Sequence, residues 1–218
     1  MIPVLFKPFN REEEICHRIK KTNKQEKENR EEDINIIEND RKKKTNDLKI
    51  LYVKMRLSTK KITPEFEASV KNQIEEKHLN VKIREAGEQD YPTVISIYKR
   101  AWMTSNTPIS DLSSDLLREL NKSSKTKIFL AKVYGIDAGF VILDFEGEKN
   151  EIGFITALGI LPRFQRRKVG TSLGIRTWKY FKKFNVKELR TEVYINNSNS
   201  KEFLKSLGFE EFDRFSYD

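Results

Sequence analysis

The sequence predicts an α/β (α+β) fold in which a sheet is flanked by helices and is preceded by a charged helical arm. Composition changes near residue 80, from a run dominated by charged and amide residues to regular apolar spacing. That spacing then alternates between the two-residue period of strands and the 3.6-residue period of helices. The resulting order is β-α-α-β-β-β-α-β-α-β. It assigns residues 81–218 to one domain and residues 1–80 to the arm.

Charge and cysteine content exclude several classes of protein. The 218 residues carry 42 Lys and Arg against 33 Asp and Glu, a formal net charge of +9. Cys16 is the single cysteine, so an intrachain disulfide is impossible. His17 and His78 lack the cysteine cluster of a zinc finger, and we expect no metal site. No apolar run approaches the roughly 20 residues that cross a bilayer, so we expect a cytoplasmic protein with an acidic partner.

Residues 1–80 are interpreted as a solvated helical extension. Apolar residues return at roughly helical spacing at Leu48, Leu51 and Met55. Thr63 and Pro64 then suit the N-cap and first position of a short helix that ends near Leu79. A partly disordered tail, a dimerising or docking helix pair and a nucleic-acid arm remain open. The last is the least favoured of the three, because this segment has 19 basic and 15 acidic residues, interleaved along the chain.

From Val81 onward each element has a local signal. Asp90 can cap a helix with apolar residues at 3.6-residue spacing, and Ser110 opens a second. Gly208 follows the last helix as its C′ residue. The predicted strands are 81–86, 127–134, 138–145, 151–161, 187–195 and 209–216, and the later helices are 169–184 and 198–207.

The most informative segment is the strand, proline stop, basic loop and helix start at residues 158–173. The first amides of a helix have no intrahelical acceptor, and the helix dipole adds positive potential there. Gly170 lets a ligand approach the backbone closely. Four cations, Arg163, Arg166, Arg167 and Lys168, lie beside it in sequence. The segment therefore predicts an anion site, although neither the P-loop pattern nor the dinucleotide fingerprint is present.

These residues resemble a known family. Gln165-Arg-Arg-Lys-Val-Gly170 is similar to the Gln/Arg-x-x-Gly-x-Gly/Ala acetyl-CoA loop of the GNAT superfamily of N-acetyltransferases. A second block, Glu192–Asn197 followed by Phe203–Phe209, resembles that family's Asn-x-x-Ala-x-x-x-Tyr-x-x-x-Gly-Phe ending. The resemblance covers about Val81 to Tyr217.

The resemblance implies a mixed, mostly antiparallel sheet that splays between its fourth and fifth strands, 151–161 and 187–195. Acetyl-CoA would enter that gap, with its pantetheine paired to strand backbone and its pyrophosphate on the loop amides. Asn197 would contact the cofactor near its thioester, and it also suits a helix N-cap. The implied cofactor-binding residues are Leu158, Ile160, Gln165, Arg166, Arg167, Lys168, Val169, Gly170, Thr171 and Asn197.

The sequence departs from the family pattern at three places. Lys168 replaces the first loop glycine, which strains the backbone if φ is positive there. Leu204 stands where the family often has a tyrosine general acid. Because the sequence ends at Asp218, we expect a seventh strand to be short or missing, which would leave one wall of the acceptor site open.

The resemblance also indicates candidate catalytic residues. Phe154 and Thr156 on the fourth strand cannot act as a base. Glu192 matches a glutamate base in members that modify protein N-termini, and Tyr194 lies two residues on, facing the same side. A solvated strand carboxylate is the other interpretation of Glu192.

We therefore expect transfer of an acetyl group from acetyl-CoA to a primary amine by direct attack in a ternary complex. A protein N-terminus or a lysine, as part of a protein or peptide partner, is the favoured acceptor. The alternative is an acyl-CoA sensor or assembly module with little catalysis. A homodimer formed through the arm also remains open, and charge alone is weak support for a nucleic-acid partner.

Overall fold

The computed structural model describes residues 50–75, 80–105, 107–122 and 125–217. The strands are β1 (Ile50–Ser58), β2 (Val81–Glu85), β3 (Lys127–Val133), β4 (Ile136–Glu146), β5 (Ile152–Ile160), β6 (Glu188–Tyr194) and β7 (Glu210–Tyr217). The helices are α1 (Pro64–Glu75), α2 (Tyr91–Met103), α3 (Ser114–Lys122), α4 (Val169–Phe181) and α5 (Ser198–Ser206). The predicted order of elements from Val81 onward is confirmed.

Seven strands of the described residues form one mixed sheet in the order β2-β3-β4-β5-β6-β1-β7. The pairs β2/β3, β3/β4, β4/β5 and β1/β6 are antiparallel, whereas β5 and β6 are parallel. The predicted α+β class with a mixed, mostly antiparallel sheet is confirmed.

The helical prediction is wrong for Ile50–Ser58, which form β1, the strand next to the edge strand β7. Val53, Met55 and Leu57 are buried on one face, and they alternate with Tyr52, Lys54 and Arg56. This two-residue period is the strand pattern, and the spacing of Leu51 and Met55 concealed it. One compact unit includes Leu51–Phe215, so the sheet draws on residues well before Val81.

The seventh strand is therefore present, and it comes from the N-terminal side. β1 lies between β6 and β7, with Tyr52 opposite Tyr194 and Ser58 opposite Glu188. The ion pairs Lys54–Asp213 (3.0 Å) and Arg56–Glu210 (3.2 Å) join β1 side chains to β7 side chains. The predicted arm over residues 1–49, with Cys16 and His17 and the dimer it would form, lies outside the described residues.

Helices α2 and α4 cover opposite faces of the sheet. A Cβ on Gly159 would lie 3.3 Å from Trp102 of α2, whereas a Cβ on Gly153 would lie 2.7 Å from Phe181 of α4. A β-bulge in β5 lies between the two glycines and reverses the alternation of faces, and the missing side chain lets each helix approach the sheet closely. Trp102 and Phe181 are buried, and they anchor two apolar layers.

Helix α1 packs against α4. The Trp178 indole nitrogen donates to Glu67 Oε1 at 2.7 Å, and the Lys182 ammonium does so at 3.2 Å. The predicted helix start is confirmed, because Thr63 Oγ1 accepts a hydrogen bond from the Phe66 amide.

The start of α3 differs from the prediction at Ser110. The helix begins at Ser114, and the Ser113 hydroxyl accepts a hydrogen bond from the Leu116 amide at 3.1 Å. Ser110 is held elsewhere, since its carbonyl accepts a hydrogen bond from the Tyr98 hydroxyl at 2.9 Å.

Candidate functional site

Strands β5 and β6 pair for only part of their lengths and then separate. Their register runs from Ile152 opposite Glu188 to Ile155 opposite Thr191. Beyond these positions β5 continues to Ile160 and β6 to Tyr194. The two strands thus form a fork, and the predicted splay between them is confirmed.

A β-bulge and one side chain close the base of the fork. The register with β4 shifts so that Ala157 pairs with Ile142 and Ile155 pairs with Leu143, which leaves Thr156 as the extra residue. The buried Thr191 hydroxyl donates to the Ile155 carbonyl at 3.0 Å. A side-chain hydrogen bond thus joins the two residues of the last parallel pair, at the point where the strands diverge.

The peptide groups of Leu158 and Ile160 face into the fork. The Leu161 amide donates to Ala138 of β4 at 2.9 Å, so the peptide groups of alternate residues point toward β4. Those of Leu158 and Ile160 point the other way, because successive residues of a strand direct these groups to opposite edges. Their pairing with a ligand stays a prediction, and the geometry suits it.

The loop that follows β5 is tied back to the strand. The Gln165 side-chain amide donates to the Ile160 carbonyl at 3.1 Å. Gln165 therefore orients the loop that leaves the fork, and a direct contact with a cofactor stays a prediction.

Two non-glycine residues of this loop adopt left-handed backbone conformations. The φ angles are +58° at Arg166 and +61° at Lys168. The lysine in place of the family's loop glycine therefore does carry strain, of roughly 1–2 kcal/mol for a residue with a Cβ. Such strain at a turn next to a helix start is typical of a functional loop.

Helix α4 begins directly after this loop and presents its amino end to it. The Ser172 amide donates to the Lys168 carbonyl at 2.9 Å. In an α-helix the amides that precede such a bond have no intrahelical acceptor, and here they belong to Val169, Gly170 and Thr171. The exposed Arg163, Arg166 and Arg167 and the half-buried Lys168 surround this end with cations. The arrangement suits a phosphate group.

Asn197 lies across the fork, at the start of α5. Its Oδ1 accepts from the Ser200 amide at 3.1 Å, so the N-cap interpretation is confirmed. Its Nδ2 donates to the Thr107 hydroxyl at 2.9 Å, and both side chains are buried. A cofactor contact by Asn197 stays a prediction.

The two predicted catalytic residues lie on β6 opposite residues of β1. Glu192 is opposite Lys54, and Tyr194 is opposite Tyr52. Glu192 is only 4% exposed, so the interpretation as a solvated carboxylate is wrong. The Tyr52 and Tyr194 rings lie 5.7 Å apart. Burial, with the nearby Tyr194, Tyr98 and Glu192, raises the pKa of Tyr52 to about 12.

Tyr52, Thr107 and Thr191 contribute to this region, and the sequence analysis missed all three. Tyr52 lay inside the predicted arm, where the alternation of residues 51–57 was the available signal. Thr107 and Thr191 act through hydrogen bonds to distant residues, for which a single sequence gives no signal.

The described residues contain no group of three or more His, Cys, Asp or Glu side chains that could hold a metal ion. Among the helices in the same ranges, none has the length and apolar character that a bilayer crossing requires.

Residues 92–209 match the model of the acetyltransferase (GNAT) family. An uncharacterized N-acetyltransferase of Methanocaldococcus jannaschii is 33% identical over 96 residues. The match covers 42% of this chain, and the chain spans 42% of the length of that relative.

Two solved structures share the fold. PaiA N-acetyltransferase from Thermoplasma acidophilum, in complex with coenzyme A, superimposes with a TM-score of 0.54 at 22% identity. That alignment covers 63% of this chain and 99% of the other. The ribosomal-protein-S18-alanine N-acetyltransferase from Escherichia coli gives a TM-score of 0.52 at 21% identity, covering 62% and 80%. Because the family match extends over more than half of this chain and includes the fork and the basic loop, the chain belongs to the GNAT family of acetyltransferases.

Proposed function

We propose that the protein is an N-acetyltransferase that moves an acetyl group from acetyl-CoA to a primary amine in a ternary complex. The observation that carries this proposal is the fork between β5 and β6. Its inward peptide groups at Leu158 and Ile160 lead to the basic amino end of α4. An elongated ligand with an amide-bearing arm and phosphates at one end matches this layout. Acetyl-CoA supplies the activated thioester.

The geometry supports the following binding roles. The fork-facing peptide groups of Leu158 and Ile160 extend the sheet by pairing with the pantetheine amides. The amides of Val169, Gly170 and Thr171 hold the pyrophosphate, and the neighbouring Arg and Lys side chains neutralise its charge. The Leu158 amide then polarises the thioester carbonyl, which needs a donor at the developing oxyanion.

Glu192 is the proposed general base. A primary amine with a pKa near 10 is mostly protonated at neutral pH, so a proton must leave before the nitrogen attacks. Glu192 lies on the part of β6 that no longer pairs with β5, and its carboxylate takes that proton directly or through water. Tyr194, two residues on and on the same face, orients the water or the amine. Tyr52 stays protonated at neutral pH and keeps a hydroxyl donor beside both residues.

The proposed acceptor is a protein N-terminus or a lysine. Met103 is 74% exposed and Ile109 is 55% exposed, and both flank the loop that Asn197 and Tyr98 hold against the fork. Exposed apolar side chains at the mouth of a site suit a peptide that brings its own side chains. The Escherichia coli relative acts, by its name, on an alanine of a ribosomal protein.

The test is release of free CoA thiol by the purified full chain with a panel of peptides and small amines. We expect Glu192→Gln to lose at least tenfold in kcat/KM and to change the pH–rate profile. Glu202→Gln, at an exposed carboxylate on α5, is the matched control and keeps the wild-type profile. An unchanged pH profile in Glu192→Gln removes this base from the mechanism.

One observation favours the sensor alternative. Leu204 is buried where the family pattern often has a tyrosine acid, and the β5 side chains Phe154 and Thr156 supply no base. Turnover with any amine in the panel excludes this alternative. Binding of acetyl-CoA without turnover of any acceptor supports it.

A further inference from the structure

An apolar cavity of about 50 Å³ lies behind the fork, between the sheet and helices α1, α4 and α5. Ile155, Leu158 and Leu189 form its floor, and Leu204 of α5 forms one wall. Phe66 and Val70 of α1 cover part of it from above. Since one water-sized group needs about 10–15 Å³ of such space, the cavity holds about three to five groups of that size.

The roof of this cavity is specific to this chain's N-terminal segment. Helix α1 precedes residues 92–209, which match the family. Its position is fixed by the Glu67 carboxylate, which accepts hydrogen bonds from Trp178 and Lys182 of α4. The cavity is therefore built in part by a helix that lies outside the residues matched to the family.

The cavity adjoins the base of the fork. Ile155 is the last residue of β5 that pairs with β6, and Leu158 turns its peptide group into the opening. The side chains of both residues line the cavity. A carbon chain attached to a thioester carbonyl at the Leu158 amide thus has an apolar space adjacent to it.

We propose that this cavity binds the hydrocarbon chain of an acyl group longer than acetyl, with best fit for a straight chain of about four carbons. A butanoyl group has three carbons beyond its carbonyl, which lies within the range of about three to five water-sized groups that the cavity accommodates. The inference rests on the proposed function, because it assigns the acyl end of the same donor.

The transfer chemistry is unchanged by the longer chain. The acceptor nitrogen forms a bond to the thioester carbon, the carbon–sulfur bond breaks, the nitrogen loses a proton, and CoA leaves as its thiol. The products are an N-acyl amine and free CoA for either donor. The cavity alters which acyl group is held, and it supplies no reacting atom.

The decisive measurement is the binding affinity of acetyl-CoA, propanoyl-CoA, butanoyl-CoA and octanoyl-CoA for the full chain, by calorimetry without acceptor. Burial of each methylene strengthens binding about fourfold, so butanoyl-CoA, with two more methylenes, should bind about sixteenfold more tightly than acetyl-CoA. Octanoyl-CoA, which is too long for the cavity, should lose this gain. Equal or weaker binding of butanoyl-CoA overturns the proposal.

A pair of variants on α1 tests the location. Val70→Phe fills the cavity from its roof, and the ratio of butanoyl to acetyl affinity should fall to about one. Asn72→Phe adds the same side chain at an exposed position of the same helix and should keep the wild-type ratio. A wild-type ratio in folded Val70→Phe overturns the assignment to this cavity. If Val70→Phe does not fold, the chain-length series on the wild type still decides.

The two proposals fail in different ways. If the wild-type chain does not bind acetyl-CoA, both the proposed function and this inference are overturned. Binding and turnover of acetyl-CoA with no gain from a longer chain overturns this inference alone.

Discussion

The Thr191 hydroxyl donates a hydrogen bond to the Ile155 carbonyl at 3.0 Å, at the last paired position of β5 and β6. The bond takes the place of the next backbone bond that a continuous ladder would make. Thr191 is fully buried, so the Ile155 carbonyl has little access to solvent there. The fork therefore begins at the Ile155 carbonyl, whose hydrogen bond comes from the Thr191 side chain instead of from the backbone of β6.

Thr191→Val should destabilise the protein by about 1–3 kcal/mol, because it leaves a buried carbonyl without its donor while keeping the side-chain shape. Urea unfolding monitored by circular dichroism gives the free energy of unfolding. Thr191→Ser retains the hydroxyl and should reduce the free energy of unfolding by less. A Val variant as stable as the wild type would contradict this role.

Substitution of Lys168 separates backbone strain from charge. Lys168→Gly removes both the ammonium and the Cβ, whereas Lys168→Ala removes the ammonium and keeps the strained φ of +61°. The glycine variant should be more stable than the alanine variant by about 1 kcal/mol. Both should bind CoA more weakly than the wild type, as measured by calorimetry. Equal stabilities would argue against the left-handed conformation.

A double-mutant cycle on Asn197 and Thr107 measures how strongly the loop before α3 is tied to α5. Asn197→Ala should lose about 1 kcal/mol of stability through the helix cap alone. Thr107→Val removes the acceptor of the second hydrogen bond. The coupling free energy between the two changes should be about 0.5–1.5 kcal/mol, and additive effects would show that the buried contact contributes nothing.

Met55→Ala tests the place of β1 in the sheet. Met55 is fully buried, and its truncation should reduce the free energy of unfolding by about 2–5 kcal/mol. Lys54→Ala, on the opposite face and in an exposed ion pair with Asp213, should change it by less than about 1 kcal/mol. Similar small effects for both variants would favour the solvated helix instead.

The pKa of Tyr52 predicts a specific loss of stability at alkaline pH. Burial raises this pKa from 10.0 to about 12, so the folded state holds the phenolic proton more tightly than the unfolded state does. The resulting stabilisation is complete below pH 10 and declines as the pH rises through 10 to 12.

Tyr52→Phe should show a flatter decline than the wild type when the free energy of unfolding is measured across this range. Tyr134→Phe, at a tyrosine that is 71% exposed, is the control and should follow the wild type. A Tyr52→Phe curve that parallels the wild type would contradict the assignment.

Local pattern predicted most of the domain. The alternation of Val81–Glu85 and the 3.6-residue spacing of Val94, Ile97 and Ala101 led to the correct elements. In each case the apolar residues of the element itself show which of its faces is buried. Asn197 was predicted as a cap for the same reason, since capping depends on residues three positions away.

Features that depend on distant partners were not predictable in the same way. The strand at Ile50–Ser58 is specified by its pairing with Glu188–Tyr194. The charged residues that surround it in the sequence led to the prediction of a solvated helix. The left-handed φ of Lys168 and the burial of Glu192 likewise depend on how the chain packs around them.

The placement of β1 has a consequence for synthesis of the protein on the ribosome. The Thr59 hydroxyl just after β1 bonds to the Lys187 carbonyl just before β6, across 128 positions of chain. At roughly 5–20 residues per second, β1 emerges on the order of ten seconds before its partner. During that interval an alternating apolar strand has two unpaired edges, a state that invites pairing with other nascent chains.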